Sequence, residues 1–284
     1  MQPHFKTSIR SSFLLAAYLT AVAAAPAEEP RARRLLLLSQ GPDGHPPATH
    51  EYEAGLKILQ KCLAKSPGLE VTLERADEPW EAGPAMLEHA DGAVIFLSEG
   101  AKWVQNDPRR LDALARLAAR GGGLVAVHWG LGTKDAEPID AYLKLLGGCH
   151  GGPDRRYKVV ETTIHPARPR HPIATGIERL ALRDEFYYRL KFIQPADQVH
   201  PVLTVPIEGR EETVAWAWQR PDGGRSFGFS GLHFHDNWRL PAYRRVMTQG
   251  TLWAMRLPIP EGGANVDVDE ADLQLGDAAS TTNK

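Results

Sequence analysis

The constraint that bears hardest on this chain is a series of short apolar segments separated by helical ones. Leu35–Leu38, Gly92–Ser98 and Leu124–Val127 are apolar almost throughout, and Leu69–Leu73 reads as a further strand. A strand without a polar face is buried on both sides, and such strands belong to parallel sheets covered by helices. Helical spacing fills the intervals. His50 to Lys65 carries Tyr52, Leu56, Leu59 and Leu63 on one side, with Thr49 as N-cap. Pro84–His89 is a second helix, and Pro108–Arg120 a third, ended by Gly121-Gly122-Gly123. Strand and helix alternating through short loops predict a doubly wound, mostly parallel α/β sheet of the flavodoxin-like kind.

Beyond Gly152 the pattern changes. Tyr157–Ile164, Glu185–Leu190, Val199–Val205, Glu212–Gln219 and Ser226–Gly231 read as added, antiparallel strands, and Pro241–Met255 as an amphipathic helix. Gly147 to Gly152 is too rich in glycine for a regular element and reads as a loop at a site rim.

The termini lie outside this domain, which spans 28–260. Lys6 and Arg10 precede an apolar stretch, Phe13–Ala25, that is short for a bilayer and runs into Ala25-Pro26-Ala27. Residues 1–27 read as a secretory signal peptide, against the alternative of an uncleaved anchor. Export to a periplasmic or extracellular setting follows, with no membrane span in the mature protein. Segment 261–284 is acidic, with few large apolar residues, and reads as a disordered tail. The whole chain of 284 residues carries a formal net charge of −2. No basic stripe is present, which excludes the electrostatic footprint of a nucleic-acid binder. Cys62 and Cys149 sit in a helical pattern and a Gly-rich turn, and both read as free thiols.

Three histidine-bearing turns should meet at the carboxyl edge of the sheet, where open α/β folds bind ligands. Gly44 to Glu51 brings His45 and His50, His128 closes the strand Leu124–Val127, and His233 to Trp238 brings His233 and His235. His233 and His235, two apart on an extended strand, share a face and can chelate a divalent ion, zinc above all. A histidine ending an apolar strand is costly to bury alone, so His128 is a ligand or a general base. His50 is either a ligand or an ordinary first-turn residue. Glu51 is either a general base or complements the helix dipole. Asp184 and Glu185 are adjacent on a strand and face opposite ways, so one can enter the site while the other stays solvated. Glu99, in the turn after the third strand, is a reserve acid, base or substrate contact. Trp103, Trp129 and Trp238 offer faces for stacking on a sugar. No Walker A, GxGxxG or CxxC sequence occurs.

Taken in order, these pieces resemble the ThuA-like (trehalose-utilisation) family. They are Gly44-His45 with His50-Glu51, Gly122 to His128, Tyr157 to Ile164, His171 to Ile177, Asp184 to Tyr187, and Gly224 to Phe227 leading to His233-Phe234-His235-Asp236-Asn237-Trp238. The resemblance implies the fold of class I glutamine amidotransferases over Arg34 to Pro260. His128 falls where those enzymes carry their nucleophilic cysteine. His235-Asp236-Asn237 stands in place of their His-Pro-Glu, so glutamine hydrolysis is not implied. What is implied is a role on sugars: metal-assisted cleavage of 3-keto-glycosides supplied by a sugar 3-oxidoreductase. Two other classes remain open, a non-catalytic sugar-binding module and a different metal-dependent hydrolase.

Overall fold

The alternation of leucines along the first strand sets the layering. In the computed structural model, which describes residues 31–275, β1 (Arg33–Ser39) sends Leu35 and Leu37 into one apolar cluster and Leu36 and Leu38 into another. A strand buried on both faces requires cover on both. The elements that follow are α1 (Tyr52–Leu63), β2 (Leu69–Arg75), α2 (Gly83–His89), β3 (Gly92–Ile95), α3 (Gly100–Asn106), α4 (Pro108–Ala119) and β4 (Gly123–Val127). Next come β5 (Gly132–Thr133), α5 (Ile139–Leu146), β6 (Gly148–Gly151), β7 (Arg156–Pro166), β8 (Leu180–Tyr188) and β9 (Lys191–Phe192). The chain continues through β10 (Val199–Ile207), β11 (Arg210–Gln219), β12 (Arg225–Phe229) and α6 (Pro241–Ala254).

Nine strands form one sheet in the order β2-β1-β3-β4-β12-β11-β10-β7-β8. The first five are parallel, and the rest are added antiparallel beyond β12. Leu56 and Leu59 of α1 and Val246 and Met247 of α6 cover one face. Leu87 of α2, Val104 of α3, Leu114 and Leu117 of α4 and Leu146 of α5 cover the other. The doubly wound sheet with an antiparallel extension is thus as the sequence predicts.

Several boundaries differ. α1 begins at Tyr52 rather than His50, and Thr49 instead makes an isolated bridge with Phe234. β8 begins at Leu180, ahead of Glu185, and ends where Arg189 takes a positive φ of 50°. The glycine-rich stretch after α5 is not irregular: β6 joins β5 and β9 in a three-stranded sheet. Glycine serves close packing there, because a Cβ on Gly148 would lie 2.5 Å from the Trp216 indole. Cys62 and Cys149 are buried and free.

The acidic tail departs most from expectation. Its composition is poor in apolar residues, but Ala264, Val266 and Leu273 are spaced to bury in the core cluster under α1 and α6. Arg244 Nε donates to the Val266 carbonyl at 2.8 Å, and Lys65 Nζ to Asn265 at 3.1 Å. Lys61 pairs with Asp272 and Arg239 with Glu270, so the acidic side chains meet basic ones on the helices and the 3-10 turn below. Segment 261–275 is therefore part of the domain. The predicted signal peptide, and the rest of the tail from 276, lie outside the described residues.

Leu273→Ala should lower the unfolding free energy by about 2 kcal/mol, the low end of the range for a truncated core leucine. Urea denaturation measures it, and an unchanged midpoint would return the tail to a solvated role.

Candidate metal centre

Each histidine of the centre follows the carboxyl end of a parallel strand. The segment after β1 carries Asp43, His45 and His50; β4 runs directly into His128; and the segment after β12 carries His233. Two of these residues are held in the left-handed region, His50 at φ 54° and His128 at φ 45°. That conformation costs an L-residue about 1–2 kcal/mol, so the surroundings must impose it. Here the first and third segments are laced together. His50 N donates to the His233 carbonyl at 3.1 Å and His235 N to the Ala48 carbonyl at 2.8 Å.

The result is a triangle of imidazole nitrogens. His50 Nε2 lies 3.0 Å from His128 Nε2 and 3.1 Å from His233 Nδ1, and the third side is 3.2 Å. The outer nitrogens decide the tautomers. His128 Nδ1 is 2.9 Å from the Ser230 carbonyl, which can only accept, so the proton is on Nδ1 and Nε2 presents a lone pair. His50 Nδ1 is 2.9 Å from the Asp43 carboxylate, with the same consequence. Burial raises the Asp43 carboxyl, but hydrogen bonds from His50, Tyr52 and His45 outweigh it and hold the group below the usual carboxylate range. Burial, and then the neighbouring imidazoles His50 and His233, push His128 well below the ordinary histidine range. Burial likewise lowers His233, to about 3.

Neutral imidazoles with inward lone pairs are metal ligands. Sides of 3.0–3.2 Å bring the three nitrogens within reach of a single ion. Three histidines of this kind could hold a divalent ion, and Asp43 and Ser230 supply the outer hydrogen bonds such ligands need. The residues present therefore fit a divalent ion. His45 adds an outer group: its Nδ1 meets Asp43 at 2.8 Å and its ring packs, tilted, against His50 at 3.7 Å.

The carboxylate pair divides its tasks. Glu185 Oε1 stands 3.6 Å from His233 Nδ1 and 3.9 Å from His128 Nε2. Burial, then the charge of Asp184, raises its carboxyl to about 7. Asp184 faces the other way as predicted, but it is fully buried rather than solvated. It accepts from Leu232 N at 2.7 Å, His233 N at 3.2 Å and Tyr243 Oη at 2.9 Å. Burial pushes it up to about 6, and it holds the His233 segment in place.

Other predicted residues lie apart from the triangle. His235 opens a 3-10 turn, His235–Arg239, which breaks the alternation of an extended strand, and its Nε2 meets the Leu273 carbonyl at 3.2 Å. Glu51 accepts from Ala48 N at 2.9 Å, closing its own loop. Glu99 accepts from Lys134 N at 2.9 Å and pairs with the same side chain. Trp238 packs against Gly55 and Phe96 with no face open to a sugar, and Trp103 is buried too. Trp129 is buried, 5.8 Å from both His150 and Tyr187.

Three contributors carry weaker sequence signals. Asp43, in Gly41-Pro42-Asp43-Gly44, looks like a turn residue. Tyr52 looks like helix core, yet its hydroxyl donates to Asp43 at 2.6 Å. Tyr187 alternates with Glu185 on β8 and places its hydroxyl 3.1 Å from His128 Nε2, with its ring stacked between His128 and His150. Gly224-Arg225-Ser226-Phe227-Gly228 has the spelling of a serine nucleophile elbow. Ser226 is instead buried inside β12 and donates to the Leu145 carbonyl at 2.6 Å, which excludes that role.

With this geometry described, relatives can be compared. The ThuA family model, described as trehalose utilisation, matches residues 40–254. The chain belongs to the ThuA family. Among solved structures, a putative ThuA-like protein from Parabacteroides merdae superimposes with TM-score 0.59 at 14% identity, over 87% of this chain and 100% of that one. One from Bacteroides uniformis gives TM-score 0.58 at 12% identity, over 82% and 95%. PurLQS from Thermotoga maritima matches at TM-score 0.44 and 13% identity, over 79% and 98%. No curated protein matches. The fold is that of ThuA proteins, a doubly wound sheet with an antiparallel extension.

Two outcomes follow for the ThuA chain. Asp184→Asn should cost about 2–4 kcal/mol, because backbone donors lose a buried charged acceptor, whereas Glu185→Gln should shift stability by less than about 1 kcal/mol. Thermal unfolding of both variants checks the division. His150 is held down to about 3 by burial, then by Arg155 and Lys191. The unfolded chain takes up that proton near pH 6.5 and the folded chain does not, so stability falls as pH drops from 6.5 toward 3. His150→Phe should remove up to about 1 kcal/mol per pH unit of that slope, read from denaturation midpoints across the range.

Proposed function

We propose that this protein cleaves 3-keto-glycosides, such as 3-keto-trehalose, by proton removal at C2, elimination at C1 and rehydration. The observation that carries the reading is Glu185. A carboxyl group raised to about 7, 3.6 Å from one imidazole of a three-histidine donor set, suits a general base at neutral pH. Membership of a trehalose-utilisation family supplies the sugar.

A ketone at C3 acidifies the C2 proton, and Glu185 takes it. The C1–O bond then breaks, a C1=C2 double bond forms, and the departing oxygen receives a proton. Water adds at C1 and a proton returns to C2, so the balance is one water consumed per glycosidic bond cleaved. Burial, followed by Glu185, raises the Tyr187 phenol well above its ordinary range, so it stays protonated as a donor at the site. A divalent ion such as zinc, held by His50, His128 and His233, supplies Lewis-acid polarisation worth several kcal/mol. The substrate comes from a sugar 3-oxidoreductase, and the predicted signal peptide puts the reaction outside the cytoplasm. Burial of Trp129 and Trp238 weighs against a sugar-binding module built on those rings.

Protein purified without chelators should hold about one divalent ion per chain by elemental analysis, lost in His128→Ala with His233→Ala. Glu185→Gln should keep the ion and lose about 10²–10⁴ in kcat on 3-keto-trehalose, the usual worth of a general base. Metal-loaded protein that leaves 3-keto-trehalose unconsumed sinks the proposal.

A further inference from the structure

Two large apolar side chains stand exposed among the described residues, Tyr157 at 56% and Val159 at 38%. They are not scattered. Both lie on β7, and in the antiparallel register with β8 Tyr157 is paired with Tyr187 and Val159 with Glu185. Directly paired residues on neighbouring strands share a face, with Cβ atoms about 5 Å apart. The exposed pair is therefore the solvent-side continuation of the face that carries the site's carboxylate and phenol.

The ring packing agrees. Tyr157 meets His150 edge to face at 6.4 Å, and His150 stacks on Tyr187 at 3.8 Å, which in turn stacks on His128 at 4.4 Å. An aromatic row thus runs from the buried nitrogen triangle to the surface, and only its last ring is open. An exposed aromatic costs little entropy to order and presents an apolar face with a polar tip, which suits a pyranose ring. The tryptophans named from the sequence are buried, so Tyr157 is the ring free to stack.

We infer that Tyr157, flanked by Val159, is the platform for the second sugar unit, the one departing from C1. This rests on the glycoside-cleaving reading above. The first unit meets Glu185, and the second lies one strand further out, against the Tyr157 ring. The protein then favours disaccharides over simple alkyl glycosides, because only the former reach the platform.

Titration calorimetry on metal-loaded protein tests this, with trehalose and methyl α-glucoside as unreactive probes. Tyr157→Ala should weaken trehalose binding roughly five- to tenfold, the effect of one stacking contact, and methyl α-glucoside binding less than twofold. Tyr157→Phe keeps the ring and should bind trehalose like wild type, with metal content equal in all three proteins. Equal trehalose affinity in wild type and Tyr157→Ala overturns the platform and leaves keto-glycoside cleavage standing. Wild type that binds neither probe overturns the platform and the sugar reading together.

Discussion

One buried carboxylate joins the two halves of this molecule. Asp184 leaves the antiparallel extension on β8 and enters the space behind the segment after β12, where it accepts from Leu232 N, His233 N and the Tyr243 hydroxyl of α6. A charge in the interior is tolerable only when donors surround it, and those donors belong to two separate segments, the one after β12 and α6. The parallel sheet delivers His50 and His128 to its carboxyl edge. Asp184 fixes the third corner, and Glu185, the next residue, points the opposite way into the site.

The centre is strained and neutral. Left-handed backbone at His50 is held by the lacing of Ala48 and His50 to His233 and His235, and His128 takes it where β4 gives way to a 3-10 turn. The outer hydrogen bonds to Asp43 and Ser230 fix where the protons sit, so lone pairs are aimed inward. Burial keeps these rings unprotonated. Strain and desolvation together leave a pocket of electron pairs that a cation or an acidic substrate proton relieves.

The tail is tied to the loop that carries His233 and His235. His235, expected beside His233 as a ligand, turns away into a 3-10 helix and its Nε2 donates to the Leu273 carbonyl instead. Its loop is thereby tied to a segment whose composition alone suggests disorder. Three small or branched apolar residues at the right spacing outweigh the five acidic ones of segment 261–275 once Lys61, Lys65 and Arg239 lie nearby.

By itself the sequence determined the strand–helix alternation, the two-faced burial of β1, β3 and β4, and the delivery of His50, His128 and His233 to one edge, because these follow from hydrophobic period and chain direction. The division between Asp184 and Glu185 was also legible, since adjacent strand residues face opposite ways. Which member entered the site was not. Tertiary structure alone decided that, together with the exclusion of His235, the roles of Asp43 and Tyr187, and the burial of Trp129 and Trp238. Each depends on contacts between segments far apart in the chain, and a local pattern carries no information about which distant group will meet it.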